Sequence, residues 1–89
     1  MTFHESWDLE IDASVLKTLK KFPHKNTEAI LYIIKLLPQN PYFGDIQKMK
    51  DENNAWRRRV GSYRIFYKIK VFEKIILVFK VERRTSSTY

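Results

Sequence analysis

The stretch WRRRVGSYRIFY, residues 56–67, decides the fold of this chain. Aromatic and β-branched residues, which favour strands, stand on both sides of a Gly-Ser pair. Glycine at the first central position suits a type II′ turn, the two-residue connection of a β-hairpin. The stretch therefore predicts two antiparallel strands joined at Gly61 and Ser62.

This turn determines which residues of the two strands face each other. On one side Val60 faces Tyr63, Arg58 faces Ile65 and Trp56 faces Tyr67, while on the other Arg59 faces Arg64 and Arg57 faces Phe66. Three arginines thus share one face. Like charges opposed across strands destabilise a sheet, and a phosphate bound between them would relieve the repulsion.

A second hairpin follows, and apolar alternation favours a three-residue loop at 72–74. That loop pairs Ile65 with Val81, Tyr67 with Phe79, Ile69 with Leu77 and Val71 with Ile75. A two-residue turn would instead place Lys80 and Glu82 against the apolar residues. With the longer loop, the arginine face gains Lys80, Glu82 and Arg84, and Tyr89 follows closely. Arg58 falls on the apolar side, and we expect it at the sheet edge with its stem on Trp56.

The rest of the chain supplies one strand and two helices before this sheet. Residues 6–11 alternate as a half-buried strand does. Asp12 can cap a first helix that ends at Pro23, and Asn26 or Thr27 can cap a second that ends at Pro38. About 18 residues of loop, 38–55, then lead to strands at about 55–60, 63–71 and 75–82. We expect Phe43, Ile46 and Met49 to pin that loop to the core.

The predicted order is β-α-α-β-β-β, in one domain spanning residues 1–89. Such an order is typical of the α+β class, with a mainly antiparallel four-stranded sheet and two helices packed on one face. A chain of 89 residues with 44% hydrophobic residues has room for one modest core.

Composition also limits the kinds of site that the chain can hold. There is no cysteine, and the two histidines, His4 and His24, are far apart, so we expect no metal and no cofactor. The apolar runs are too short to span a membrane, and the first ten residues are acidic where a signal peptide would be basic. We therefore expect a cytoplasmic protein with no membrane contact.

Positive charge is concentrated in the last third of the chain. The net charge is +7, and all six arginines follow residue 55. Such asymmetry favours a polyanionic partner, with nucleic acid first and an acidic protein surface second. A merely solvated basic face is the competing interpretation. Phe66 and Tyr89 near the arginines favour a binding site, because aromatic rings stack on single-stranded bases.

Four stretches resemble the RelE/ParE superfamily of toxin–antitoxin systems. They are LKKFP (19–23), NPYFGDIQKM (40–49), WRRRVGSYRIFYKI (56–69) and VERRTSSTY (81–89). The resemblance implies the same β-α-α-β-β-β fold. Its RelE branch implies an endoribonuclease that enters the ribosomal A site and cuts mRNA without a metal ion. It also implies a cognate antitoxin with an acidic or amphipathic segment, and no direct DNA binding without that antitoxin.

The resemblance also assigns site residues. It implies a catalytic set of Arg57, Arg59, Arg64, Arg84 and Tyr89, with Arg83 as second choice for the C-terminal arginine. We further predict that Phe66, Lys80, Glu82 and Arg83 bind substrate around that set. In the reaction of the RelE branch, the ribose 2′-hydroxyl attacks the neighbouring phosphorus. Arginine is a poor proton carrier, so Tyr89 and Glu82 are the candidates for proton transfer.

Two other functions are compatible with the same residues. A ParE-type toxin shares the fold and poisons DNA gyrase through protein contact, and that group usually lacks the complete catalytic set. A non-catalytic module that binds RNA or DNA would need only the basic face. Retention of the full set in this chain favours the nuclease.

Overall fold

The part of the chain that the structure describes has an α+β fold, with two helices on one face of a five-stranded sheet. The computed structural model describes residues 7–50 and 52–84. Its elements are β1 (Asp8–Ile11), α1 (Ala13–Leu19), α2 (His24–Leu36), β2 (Ile46–Lys48), β3 (Ala55–Val60), β4 (Tyr63–Lys70) and β5 (Ile75–Arg83). The strand order is β1-β5-β4-β3-β2, with β1 parallel to β5 and the other neighbours antiparallel. The predicted fold class is confirmed.

The strand count differs from the prediction by one. Strand β2 lies inside the expected loop and pairs antiparallel with β3, placing Ile46 opposite Arg58 and Gln47 opposite Arg57. Three residues are too few for period-two alternation to stand out, and two of the three are exposed. Pairing with β2 satisfies backbone groups along the outer edge of β3, which an edge strand would otherwise leave open.

The register of the β3–β4 hairpin is confirmed pair by pair, from Val60 opposite Tyr63 to Trp56 opposite Tyr67. Gly61 has φ +58, as expected for the first central residue of a type II′ turn.

The register of β4 with β5 is confirmed only near its first end. Ile65 faces Val81, but a β-bulge after Phe66 shifts the remaining pairs by one residue, so the predicted partners of Tyr67, Ile69 and Val71 are wrong. The reason is core packing, since the bulge turns Ile76 and Val78 into the core, where both are fully buried. The connecting loop is residues 71–74, one longer than predicted, and Phe72 at its tip is 100% exposed.

The structure confirms the predicted cap of α1 but not the predicted cap of α2. Asp12 caps α1 as expected, its carboxylate accepting a hydrogen bond from the Ser14 N–H at 3.0 Å. Helix α2 starts at His24 directly after Pro23, so neither Asn26 nor Thr27 is its cap. Their side chains instead form hydrogen bonds that connect α2 to β4 and to α1. Asn26 donates to the Tyr63 hydroxyl at 2.8 Å, and Thr27 donates to the Leu19 carbonyl at 2.7 Å.

The core lies between the helices and one face of the sheet. It combines helix residues with alternate sheet residues: Val15, Leu19, Ile30, Ile34, Leu37, Tyr63, Ile65, Tyr67, Ile69, Ile76, Val78 and Val81. Because both helices pack on this face, no described helix covers the arginine-bearing face, which we call the open face. Within the described part of the chain, no helix is long and apolar enough to cross a membrane.

Two core-side residues hold the loop that precedes β2. The Tyr67 hydroxyl donates to the Pro41 carbonyl at 2.5 Å. The Arg58 guanidinium lies 4.5 Å from the Phe43 ring centroid, and a Cβ placed on Gly44 would lie 2.5 Å from Arg58 Cζ. Arg58 is therefore packed beneath this loop, and the expectation that it lies at the sheet edge is wrong because β2 pairs with β3 there.

Burial raises the pKa of Tyr67 to about 12, partly offset by the positive charge of Arg58. An unfolded tyrosine has a pKa near 10. The neutral Tyr67 hydroxyl therefore contributes its whole share of the unfolding free energy below pH 10, and this contribution is lost as the pH rises towards 12. Between pH 9 and 12 we expect the wild type to lose on the order of 2 kcal/mol more unfolding free energy than Tyr67→Phe. Urea unfolding followed by tryptophan fluorescence measures both proteins, and parallel losses would contradict the assignment.

Candidate active site

Side chains on the open face form two rows that run across the strands. In the first row Arg59 faces Arg64, which faces Glu82, and the backbone N–H of Arg59 donates to the Asp45 carbonyl at 2.9 Å. The second row, two residues along each strand, contains Gln47, Arg57, Phe66 and Lys80. The register therefore places basic groups from three strands side by side.

Four predicted catalytic arginines line one concavity of about 150 Å³, which we call the arginine pocket. Its lining residues are Asp45, Gln47, Arg57, Arg59, Arg64 and Arg84. Arg84 follows β5, and its backbone N–H donates to the Ser62 carbonyl at 2.6 Å, which holds it beside the hairpin turn. Four guanidinium groups against one carboxylate leave a formal charge of +3, which suits an anion such as a phosphodiester.

The opposed arginines of the first row have acidic neighbours within the protein. Asp45 Oδ2 lies 2.9 Å from Arg59 Nε, and Glu82 stands opposite Arg64. The sequence predicts that a bound phosphate relieves the repulsion, and these acids already relieve part of it. The Arg59–Asp45 pair is about half exposed. Pairs of that kind contribute about 0–1 kcal/mol, so this pair adds little to the stability of the fold.

The predicted substrate-binding residues of the second row flank the pocket without lining it. Phe66 is only 6% exposed, with the Lys80 ammonium 5.3 Å from its ring centroid and the Phe79 ring at 6.3 Å. Phe66 is thus part of the floor of the open face, which leaves little ring surface for stacking on a base. Lys80 Nζ also lies 3.6 Å from Glu82 Oε1, so these two charges offset each other.

Arg83 and Tyr89 are not brought to the pocket by the described structure. Arg83 faces Tyr63 and lines a different concavity, which includes Asn26 and Ile30 of α2. It therefore lies on the helix side of the sheet, because successive residues of a strand point to opposite faces. Tyr89 lies outside the described residues, and its place in the site stays a prediction.

Two residues of the pocket were missed by the sequence analysis. They are Asp45, paired with Arg59, and Gln47, whose side-chain oxygen accepts a hydrogen bond from the Arg57 guanidinium. Both come from the segment interpreted as loop. Had strand β2 been recognised, its period-two alternation would have placed Asp45 and Gln47 on the face that carries Arg57 and Arg59.

With four arginines and one carboxylate in its lining, the pocket favours anions over metal ions. Among residues 7–50 and 52–84, no group of three or more His, Asp or Glu side chains is placed to hold a metal ion. His24 lies on the exposed side of α2, with its Nε2 3.4 Å from Glu28 Oε2.

The match to a known protein family covers nearly the whole chain. Residues 9–87 match the family described as the ParE toxin of type II toxin–antitoxin systems. The chain belongs to the RelE/ParE superfamily of toxins.

Individual RelE/ParE relatives agree with this membership. A putative toxin RelE1 of Methanocaldococcus jannaschii is 32% identical over 81 residues, covering 88% of this chain and 90% of the relative. The toxin fold also superposes on an archaeal RelE–RelB complex from Pyrococcus horikoshii with a TM-score of 0.79 at 23% identity, over 92% of this chain and 99% of the other. A RelB–RelE complex from Methanococcus jannaschii superposes with a TM-score of 0.70 at 29% identity, and the match covers 84% of this chain and 89% of the other.

The opposite orientations of Arg83 and Arg84 lead to a direct test. We expect Arg84→Ala to weaken binding of a short single-stranded RNA about tenfold, since it removes one charged donor worth about 1.5 kcal/mol from the pocket. Arg83→Ala removes the same charge from the other side of the sheet and should weaken binding less than about twofold. Fluorescence anisotropy at one fixed salt concentration compares the two. Equal losses would mean that net charge, and not the pocket, binds the RNA.

Proposed function

We propose that this toxin is a metal-independent endoribonuclease that cleaves mRNA in the ribosomal A site. The observation that carries the proposal is the arginine pocket, in which four arginines on or next to neighbouring strands line one small concavity on the open face. The relatives named RelE add support. A toxin acting on translating ribosomes would work in the cytoplasm.

The pocket suits transfer of a phosphodiester to its own ribose. The 2′-hydroxyl oxygen forms a bond to phosphorus as the bond to the 5′ oxygen breaks, leaving a 2′,3′-cyclic phosphate and a 5′-hydroxyl. Negative charge grows on the non-bridging oxygens in the transition state, where fixed guanidinium donors stabilise it. Each such donor can contribute on the order of 10²-fold in rate. Holding the 2′ oxygen in line with the leaving group adds to this.

Arg57 and Arg59 approach the phosphate from β3, Arg64 from β4 and Arg84 from the end of β5. A guanidinium group stays charged at any physiological pH, so it binds the phosphate and does not carry the proton. Of the two sequence candidates for proton transfer, Glu82 is paired with Lys80 and does not line the pocket. Tyr89 lies outside the described residues, and we keep it as a candidate to be tested by substitution.

The proposed partner that controls the toxin is a cognate antitoxin. Similar structures from Pyrococcus horikoshii and Methanococcus jannaschii are complexes of RelE with RelB. A pocket with a formal charge of +3 would attract an acidic segment, and an amphipathic segment could pack beside it.

A second candidate function comes from the family match itself. The matching family is described by its ParE members, and a ParE-type toxin would inhibit DNA gyrase through protein contact without cutting nucleic acid. The two functions make opposite predictions for mRNA integrity.

Incubation of the toxin with translating ribosomes tests the proposed nuclease activity. We expect the wild type to cut mRNA to ends that carry 2′,3′-cyclic phosphate, and Arg64→Ala to cut on the order of 10²-fold more slowly. Tyr89→Phe should also be slower if the final tyrosine takes part in proton transfer. Lys35→Ala, which removes an exposed charge from α2 on the other side of the molecule, should cut at the wild-type rate. Primer extension maps the cuts, and a gyrase supercoiling assay runs in parallel.

Intact mRNA together with inhibited gyrase would contradict the nuclease activity and support the ParE-type function. Intact mRNA, active gyrase and tight RNA binding would instead identify a non-catalytic nucleic-acid-binding module.

RNA binding should also depend steeply on salt. If four phosphate contacts form in and around the pocket, the logarithm of the association constant should fall with the logarithm of salt concentration at a slope of about −3. Titrations of a short RNA with a 2′-deoxy group at the cleavage position measure binding without cutting. A flat response between low and physiological salt would contradict phosphate recognition by the arginines.

A further inference from the structure

The proposed reaction needs a group that takes the proton of the attacking 2′-hydroxyl, and the arginines cannot do so. Guanidinium groups have donors and no acceptor. Among the described residues that line the pocket, Asp45 is the one that carries a carboxylate. The other lining side chain that is not an arginine, Gln47, is a neutral amide and accepts a hydrogen bond from Arg57.

We propose that the carboxylate of Asp45 is the base that accepts this proton. The inference rests on the proposed endoribonuclease activity and adds a catalytic residue that the sequence analysis did not assign.

Asp45 is held at the pocket from both its backbone and its side chain. Its carbonyl accepts from the Arg59 N–H at 2.9 Å, and its Oδ2 accepts from Arg59 Nε at 2.9 Å. An ionised carboxylate has about four lone-pair sites, so this contact leaves others able to receive a proton. The side chain is 61% exposed, which keeps it open to a substrate.

The segment before Asp45 is packed against the sheet, which limits its movement. Gly44 has φ +84 and lies against the Arg58 guanidinium, which in turn lies over Phe43. Tyr67 anchors the same segment through Pro41. The carboxylate thus projects from an anchored turn, as a base must to stay in line with one ribose hydroxyl.

In the proposed step every bond and proton is accounted for. The 2′ oxygen gives its proton to the Asp45 carboxylate and forms the bond to phosphorus, and the bond between phosphorus and the 5′ oxygen breaks. The 5′ oxygen takes a proton from water, and the hydroxide formed is neutralised by the proton that Asp45 then releases. Arg59 orients the carboxylate through its Nε–H, and its other N–H groups remain available to the phosphate oxygens together with Arg57, Arg64 and Arg84.

Asp45→Asn distinguishes this role from the alternatives because it removes a negative charge from an RNA-binding pocket. We expect the variant to bind the 2′-deoxy RNA as tightly as the wild type or several-fold more tightly, since the pocket charge rises from +3 to +4. Its single-turnover cleavage should nevertheless be slower by on the order of 10²- to 10⁴-fold. Tighter binding combined with slower cleavage is the signature of a lost base.

Three further measurements sharpen the test. Asp45→Glu should recover part of the rate, because it restores a carboxylate at a slightly different position. Cleavage by Asp45→Asn should rise by about tenfold per pH unit between pH 7 and 9 as hydroxide replaces the base, more steeply than the wild type. The four facing groups, Arg57, Arg59, Arg64 and Arg84, stay charged throughout that range. Asp8→Asn, on β1 at the far edge of the sheet, is the matched control and should cleave at the wild-type rate.

Two results with an active wild type would overturn the assignment. If Asp45→Asn cleaves as fast as the wild type or faster, Asp45 is only a counter-ion that the substrate displaces. If the variant loses binding and cleavage together, with a lowered melting temperature, its role is structural. Failure of the proposed function is recognised separately, because then the wild type itself leaves RNA intact.

Discussion

The cross-strand register of β3 and β4 is the constraint on which the rest of this protein depends. Side chains alternate between faces with a period of two, so a single turn at Gly61 and Ser62 determines both faces together. It sends Ile65 and Tyr67 into the core and places Arg59 beside Arg64 on the open side. A slip of one residue would bury the arginines and expose the core. Folding and site assembly are therefore enforced by the same pairing.

The segment between α2 and β3 makes the second contribution to the arginine pocket. It is anchored by Tyr67 and Arg58 and continues as β2 at the outer edge of the sheet. This path brings Asp45 and Gln47 beside the arginines of β3. The central hairpin thus supplies most of the positive charge, while the edge segment supplies the pocket's acceptors.

The sequence predicted the parts of the fold that rest on strong local signals, and it missed those that rest on packing. The β3–β4 register followed from turn chemistry alone. The bulge after Phe66 could not, because it depends on Ile76 and Val78 fitting the helices better than Leu77 and Phe79. Likewise, Asn26 and Thr27 are good helix caps by type, but tertiary hydrogen bonds to Tyr63 and Leu19 use them instead. In the site, alternation identified the face carrying Arg57, Arg59 and Arg64, whereas Asp45 depended on a strand too short to recognise.

The arginine pocket also sets a conflict between stability and function. Its guanidinium groups are assembled before any ligand arrives, so their mutual repulsion acts on the empty protein, and the neighbouring acids offset only part of it. A protein selected for stability alone would have no reason to keep such an arrangement. Binding an anion removes this frustration, and the toxin should therefore be more rigid and more resistant to unfolding when the pocket is filled than when it is empty.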